Sequence, residues 1–161
     1  MEYRVIERED TLAAGMVCTL KAGERENAQT VQALWQKFHA RQHEIQSVAA
    51  EPQVQYGVMT FPAVFNPADS AFTYMACTEV ADTNNLPAGM NSITIPGGNY
   101  CVITHKGPLS ELSRVFDWYN NVLLPKGEVR PRGVIEFERY DDRFKGFDKE
   151  DTEVDVYFPI E

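Results

Sequence analysis

The chain has little of what several protein classes need. No apolar run approaches the ~20 residues of a membrane-spanning helix, which predicts a protein outside the membrane. Histidine is scarce, at 3 residues. His39 and His43 lie four apart on a predicted helix, a spacing that suits a metal pair. No third ligand and no nearby glutamate in a metalloprotease arrangement accompany them, so the expectation is a polar helix face, with no metal and no cofactor. Cysteine is limited to Cys18, Cys77 and Cys101, an odd number spread through apolar contexts. That argues against a disulfide framework and for buried, reduced thiols in a cytoplasmic protein. Basic residues are also few: 15 Lys and Arg stand against 24 Asp and Glu, a net charge of −9. A nucleic-acid binder needs a basic face to neutralise phosphates. The densest basic group is the loose set Lys126, Arg130 and Arg132, so no nucleic-acid contact is expected. The negative field instead favours cationic ligands. The N-terminus, charged through Glu2, Arg4, Glu7, Arg8, Glu9 and Asp10, is not expected to act as a signal peptide.

What the chain does have is enough apolar material for one domain. It is 161 residues long and 43% hydrophobic, with 9 Phe, 7 Tyr and 2 Trp. Strand patterns cover 3–9 and 12–20, and a helix is predicted over roughly 27–46, with Asn27 as its cap. Val31, Leu34, Trp35, Phe38 and Ile45 form its apolar stripe, which assigns Trp35 to the core. After a polar break at Pro52 come strands at 54–61 and 71–80. Tyr56-Gly57 interrupts the first of these, and a glycine inside a strand points to a bulge or to a close approach on the backbone. A turn-rich linker, 82–91, follows. The order then repeats: strands at 92–96 and 99–106, and a helix opened by Gly107-Pro108 and ended by Pro125 and Gly127. A strand at 133–141, an acidic loop and a last strand at 153–160 complete the chain. Both halves, about 1–81 and 91–161, read strand, strand, helix, strand, strand. The expected fold is α+β: one curved antiparallel sheet with two helices on one face. The other face would be free to form a cleft between the halves.

The stretch from Gly133 to Asp141 concentrates the chemistry. Alternation puts Glu136, Glu138 and Tyr140 on one face, and Ile135, Phe137 and Arg139 on the other. Two readings are open for the first face: solvated carboxylates, or a carboxylate at the floor of an aromatic cleft that takes a cation. In the second reading Glu138 is the central carboxylate. Tyr56, Tyr74, Trp118 and Tyr140 wall the cleft, and Glu136 adds negative potential at the rim. A tyrosine hydroxyl, from Tyr140 or Tyr56, would donate to Glu138 in the free state.

Several motifs in order resemble the GyrI-like family, the effector-binding domain of AraC/BmrR-type regulators. They are Tyr56-Gly57-Val58, Phe72 to Val80, Pro87 to Met90, Ile95 to Tyr100, His105 to Pro108, Phe137 to Asp141, and Glu153 to Ile160. The resemblance spans essentially the whole chain. It implies tandem β-α-β-β modules and a cleft for hydrophobic cations, with the central carboxylate on the seventh strand, where Glu138 falls. Some members of the family stand alone and some are sensor halves of multidrug regulators. With no helix-turn-helix ahead of the domain, the expectation here is a stand-alone sensor or sequestering protein of open oligomeric state. Two alternatives follow from the same resemblance. A subset hydrolyses cyclopropane-bearing compounds with an aromatic residue beside the glutamate. Here Leu123-Leu124-Pro125 replaces the usual tryptophan, and the nearest is Trp118. One member inhibits DNA gyrase, which makes gyrase a candidate protein partner.

Overall fold

The computed structural model describes residues 1–49 and 54–161; the predicted break at Pro52 lies outside them. The first half carries β1 (Arg4–Arg8), β2 (Thr11–Lys21), α1 (Asn27–Arg41), β3 (Gln55–Thr60) and β4 (Ala71–Glu79). The second carries β5 (Asn91–Ile95), β6 (Gly98–Lys106), α2 (Ser113–Trp118), β7 (Ile135–Tyr140) and β8 (Glu153–Ile160). Helix α2 is short because its segment changes pitch. A 3₁₀ turn at Leu109–Glu111 precedes it, and a π-helical turn at Tyr119–Leu123 continues it. Asn27 is not the cap that the sequence suggested. It is the first helical residue, and its side-chain amide donates to the Lys21 carbonyl at 2.7 Å, tying the helix start to the end of β2.

All eight strands join one antiparallel sheet in the order β1-β6-β8-β7-β3-β4-β2-β5. Exchanging the halves reverses this order onto itself, so β3 and β7 meet at the centre. Only Glu9 and Asp10 separate β1 from β2, yet β1 is an edge strand and β2 lies next to the opposite edge. The β5–β6 link, Pro96-Gly97, has the same geometry. Such short links span the sheet only if it curls until its edges approach, and the result is a half-barrel. The Gly97 N–H donates to the Asp10 carboxylate at 2.6 Å where the two links touch.

Strand alternation then sorts the side chains into two cores. The face without helices lies inside the curl. One cluster there draws on every strand, with Ile6, Ala13, Val58, Met75, Ile95, Tyr100, Phe137 and Tyr157 among its members. The expected cleft on this face is therefore replaced by packed core. The outer face carries both helices. Helix α1 packs Leu34, Trp35 and Phe38 over Leu20, Met59 and Ala76. The α2 segment packs Leu112, Val115, Tyr119 and Leu123 over Cys101, Ile103, Val156 and Phe158. Between the two helical packings, the centre of the sheet is left partly uncovered on the helix side.

Candidate functional site

The site is built where β3 and β7 meet. Glu138 pairs with Gly57 across the strands, so the two share the helix face of the sheet. Glu138 is only 6% exposed. A Cβ at Gly57 would stand 2.0 Å from the Tyr74 hydroxyl and 2.6 Å from Glu138 Oε2. The glycine is therefore a steric requirement: its missing side chain makes the space into which these polar groups converge. Tyr74, from β4, donates its hydroxyl hydrogen to Glu138 Oε2 at 2.7 Å. Tyr140, two residues along β7, donates to the same oxygen at 2.7 Å. Trp35 Nε1 donates in turn to the Tyr74 hydroxyl at 3.0 Å. Burial pushes the Glu138 carboxyl above its ordinary range, and the bonds from Tyr140 and Tyr74 oppose that shift. The same burial, with the neighbouring carboxylate, holds both tyrosines well above theirs, so they stay protonated donors.

Above Glu138 lies a cavity of about 350 Å³, within the size range of small-molecule sites. Glu138 and Tyr140 form its floor. Ala28, Val31, Gln32 and Trp35 line one side; they follow one another at helical spacing on α1. Pro108, Leu109, Ser110 and Leu112, entering the α2 segment, line the other. Phe147 and Asp148 come from the acidic loop. That loop is rooted by Arg143, which binds Asp141 at 2.9 Å and the buried Asp155 at 2.6 Å. It is clipped to the α2 entry where the Leu109 N–H donates to the Phe147 carbonyl at 2.8 Å. The lining is mostly apolar. Its two formal charges are both carboxylates, Glu138 and Asp148, and it includes no Lys, Arg or His.

The structure brings together Glu138, Tyr74 and Tyr140 of the residues singled out in the sequence. Glu136 shares their face one pair further along β7, opposite Met59, outside the cavity lining. Burial pushes its carboxyl up to about 7. Tyr56 and Trp118 are placed elsewhere. Tyr56 precedes Gly57, so strand alternation turns it into the inner core, with the sheet between it and the cavity. Its hydroxyl accepts from Arg8 at 3.1 Å, and the Arg8 guanidinium lies 5.1–5.5 Å from the Tyr56, Phe137 and Tyr157 rings. The donors to Glu138 are thus Tyr74 and Tyr140, not Tyr56. Trp118 packs at the margin of the α2 core beside Tyr3. Trp35, assigned to the core by its stripe, is core and cavity wall at once. Phe147 and Asp148 were not anticipated, since a loop has no periodicity to reveal which way it faces. His39 bonds Gln55 at 3.0 Å. Among the described residues, no group of three or more His, Cys, Asp or Glu is arranged to hold a metal.

A curled antiparallel half-barrel with a cavity between its helices defines a small-molecule binding module. The chain belongs to the family described as the GyrI-like small molecule binding domain, whose model matches residues 1–161. It is 31% identical over 160 residues to the transcriptional regulator BrlR of Pseudomonas aeruginosa, a match covering 99% of this chain and 56% of that protein. The chain thus spans little more than half of that regulator's length. The fold matches SAV2435 bound to tetraphenylphosphonium, with a TM-score of 0.77 at 16% identity, covering 100% of this chain and 94% of that one. It also matches an integron cassette protein from the mobile metagenome of Vibrio cholerae, with a TM-score of 0.68 at 18% identity, covering 99% and 95% of the two chains. Among the described residues, no helix is long and apolar enough to cross a membrane.

Proposed function

We propose that the chain binds hydrophobic cations in the cavity over Glu138, as a sensor or sequestering module. The observation that carries this reading is a buried carboxylate, held by two tyrosines, at the floor of an apolar cavity lined by no cationic side chain. Burying a carboxylate is costly unless it is compensated. The tyrosines compensate Glu138 in part, and a cation completes the compensation. A lipophilic cation is weakly hydrated and suits this exchange. Its apolar body fits against Val31, Leu109 and Leu112, and the Trp35 ring adds roughly 0.5–2 kcal/mol if the charge lies over its face. The binding of tetraphenylphosphonium by SAV2435, which shares the fold, supports the same class of ligand.

The test is a titration with rhodamine-type dyes and quaternary ammonium compounds, following tryptophan fluorescence, in the wild type and in Glu138→Gln. Micromolar binding that weakens tenfold or more in the variant, about 1.4 kcal/mol, is the expected outcome. Failure of every cation to bind the wild type would refute the reading. Product analysis of the same mixtures distinguishes binding from hydrolysis, and a gyrase supercoiling assay with added protein checks that partner.

A further inference from the structure

The two oxygens of Glu138 are not equivalent. Oε2 accepts hydrogen bonds from Tyr74 and Tyr140, both at 2.7 Å, which fills its two lone pairs. Oε1 has no donor among the described residues, and it is not sealed from solvent, so it is the oxygen that faces the cavity. The residue as a whole is 6% exposed, which leaves Oε1 little water of its own once the cavity fills. Trp35 Nε1 already donates to the Tyr74 hydroxyl, and the Gln32 amide and the Ser110 hydroxyl, which also line the cavity, make no hydrogen bond to Oε1.

From this asymmetry we infer that the site selects cations that carry an N–H, such as protonated lipophilic amines or amidines, over permanently charged cations that carry none. The inference rests on the cation reading above and sharpens it. A protonated amine gives up a water on entry and regains the bond at Oε1. A quaternary ammonium or a phosphonium supplies charge wrapped in carbon and leaves Oε1 desolvated without a donor, and a buried acceptor left unmatched is penalised. Charge alone would make the two classes equivalent. The free oxygen makes them different, with Oε1 as the specificity-determining atom. The apolar walls formed by Val31, Leu109 and Leu112 accept the carbon body of either.

A matched pair of ligands tests this: a dimethylaminoalkyl naphthalene and its N-methylated quaternary analogue. Calorimetric titration at pH 7 keeps the amine protonated, since aliphatic amines titrate near ~10. The expected result is that the amine binds the wild type at least tenfold more tightly, and that the preference disappears in Glu138→Gln. A quaternary analogue that binds the wild type as tightly as the amine, while the cation reading stands, overturns the inference without recourse to any variant. A preference that survives in Glu138→Gln also overturns it, by placing the selecting group elsewhere. If neither ligand binds the wild type, both the inference and the cation reading fall.

Discussion

Replacing Gly57 by alanine tests the construction of the site more directly than removing any of its polar groups. The added Cβ would lie 2.0 Å from the Tyr74 hydroxyl oxygen, 2.7 Å from Tyr74 Cζ and 2.6 Å from Glu138 Oε2. All three fall inside the 3.0 Å below which real Cβ contacts do not occur. The hydroxyl must therefore retreat by roughly 1 Å, which breaks its bond to Glu138 and loosens the bond from Trp35. Overpacking of this kind costs about 1–3 kcal/mol. Losing a hydrogen bond to a buried charged group costs about 1.5–3 kcal/mol more. Gly57→Ala is thus expected to destabilise the protein by about 2.5–6 kcal/mol, a large share of the ~5–15 kcal/mol typical of a domain. Urea unfolding monitored by tryptophan fluorescence measures this as a fall in midpoint at constant slope. The cycle with Tyr74→Phe isolates the cause. If the clash is with the hydroxyl, the double variant loses the same hydrogen bond only once. Its cost then falls short of the sum of the two single costs by at least about 1 kcal/mol. Relief is partial, because the contacts with Cζ and Glu138 remain. Costs that add to within about 0.5 kcal/mol, or a Gly57→Ala cost below about 1 kcal/mol, would refute the steric argument.

Glu136 makes a pH-dependent prediction. Its carboxyl is raised by burial from 4.5 to about 7, so between these values the folded state binds more protons than the unfolded state. Stability contributed at this position therefore falls as pH rises through that window. Glu136→Gln should match the wild type near pH 4 and exceed it at pH 8 by up to about 3 kcal/mol, the shift converted at 1.36 kcal/mol per unit. Urea melts at both pH values check this, and a difference that does not grow with pH contradicts it. Thr152 is fully buried; its hydroxyl accepts from the Lys145 N–H at 3.0 Å and donates to the Gly146 carbonyl at 2.6 Å. Thr152→Val removes both bonds for about 1–3 kcal/mol, and trypsin should then cut faster at Lys145 and Lys149. Unchanged cleavage would show that other contacts hold the loop.

Much of the fold was legible because it is written in local periodicity. Alternation along Gly133 to Asp141 placed Glu138 and Tyr140 on one face, and the structure has them there. The glycine after Tyr56 signalled a close approach, which is that of Tyr74 and Glu138. What periodicity does not carry is register and facing. Tyr56 and Tyr74 both look like cleft walls until the pairing of β3 with β7 shows that Tyr56 is out of phase with Glu138 by one residue. The stripe on α1 showed that Trp35 turns inward. It could not show that the sheet beneath its first turns is left open, so that the same face serves as core and as wall. Trp118 lies beside its own stripe, and the change of helical pitch after it has no sequence signature of the kind that marks a cap or a turn. The side chosen for the cleft followed from treating the sheet as open. Its curl is encoded instead in the two-residue links and in pairings distant along the chain.

Those links have a consequence for how the molecule assembles. Strand β1 hydrogen-bonds to β6, and β5 hydrogen-bonds to β2, so each half lends its opening strand to the other. Neither half completes its own sheet. The chain is, in effect, an exchanged dimer whose two subunits have been joined head to tail. Its closing contacts are far apart in sequence, which favours slow folding. A fragment holding only the first half would expose the vacant edge that β5 normally covers, and the natural filler for that edge is the opening strand of a second copy.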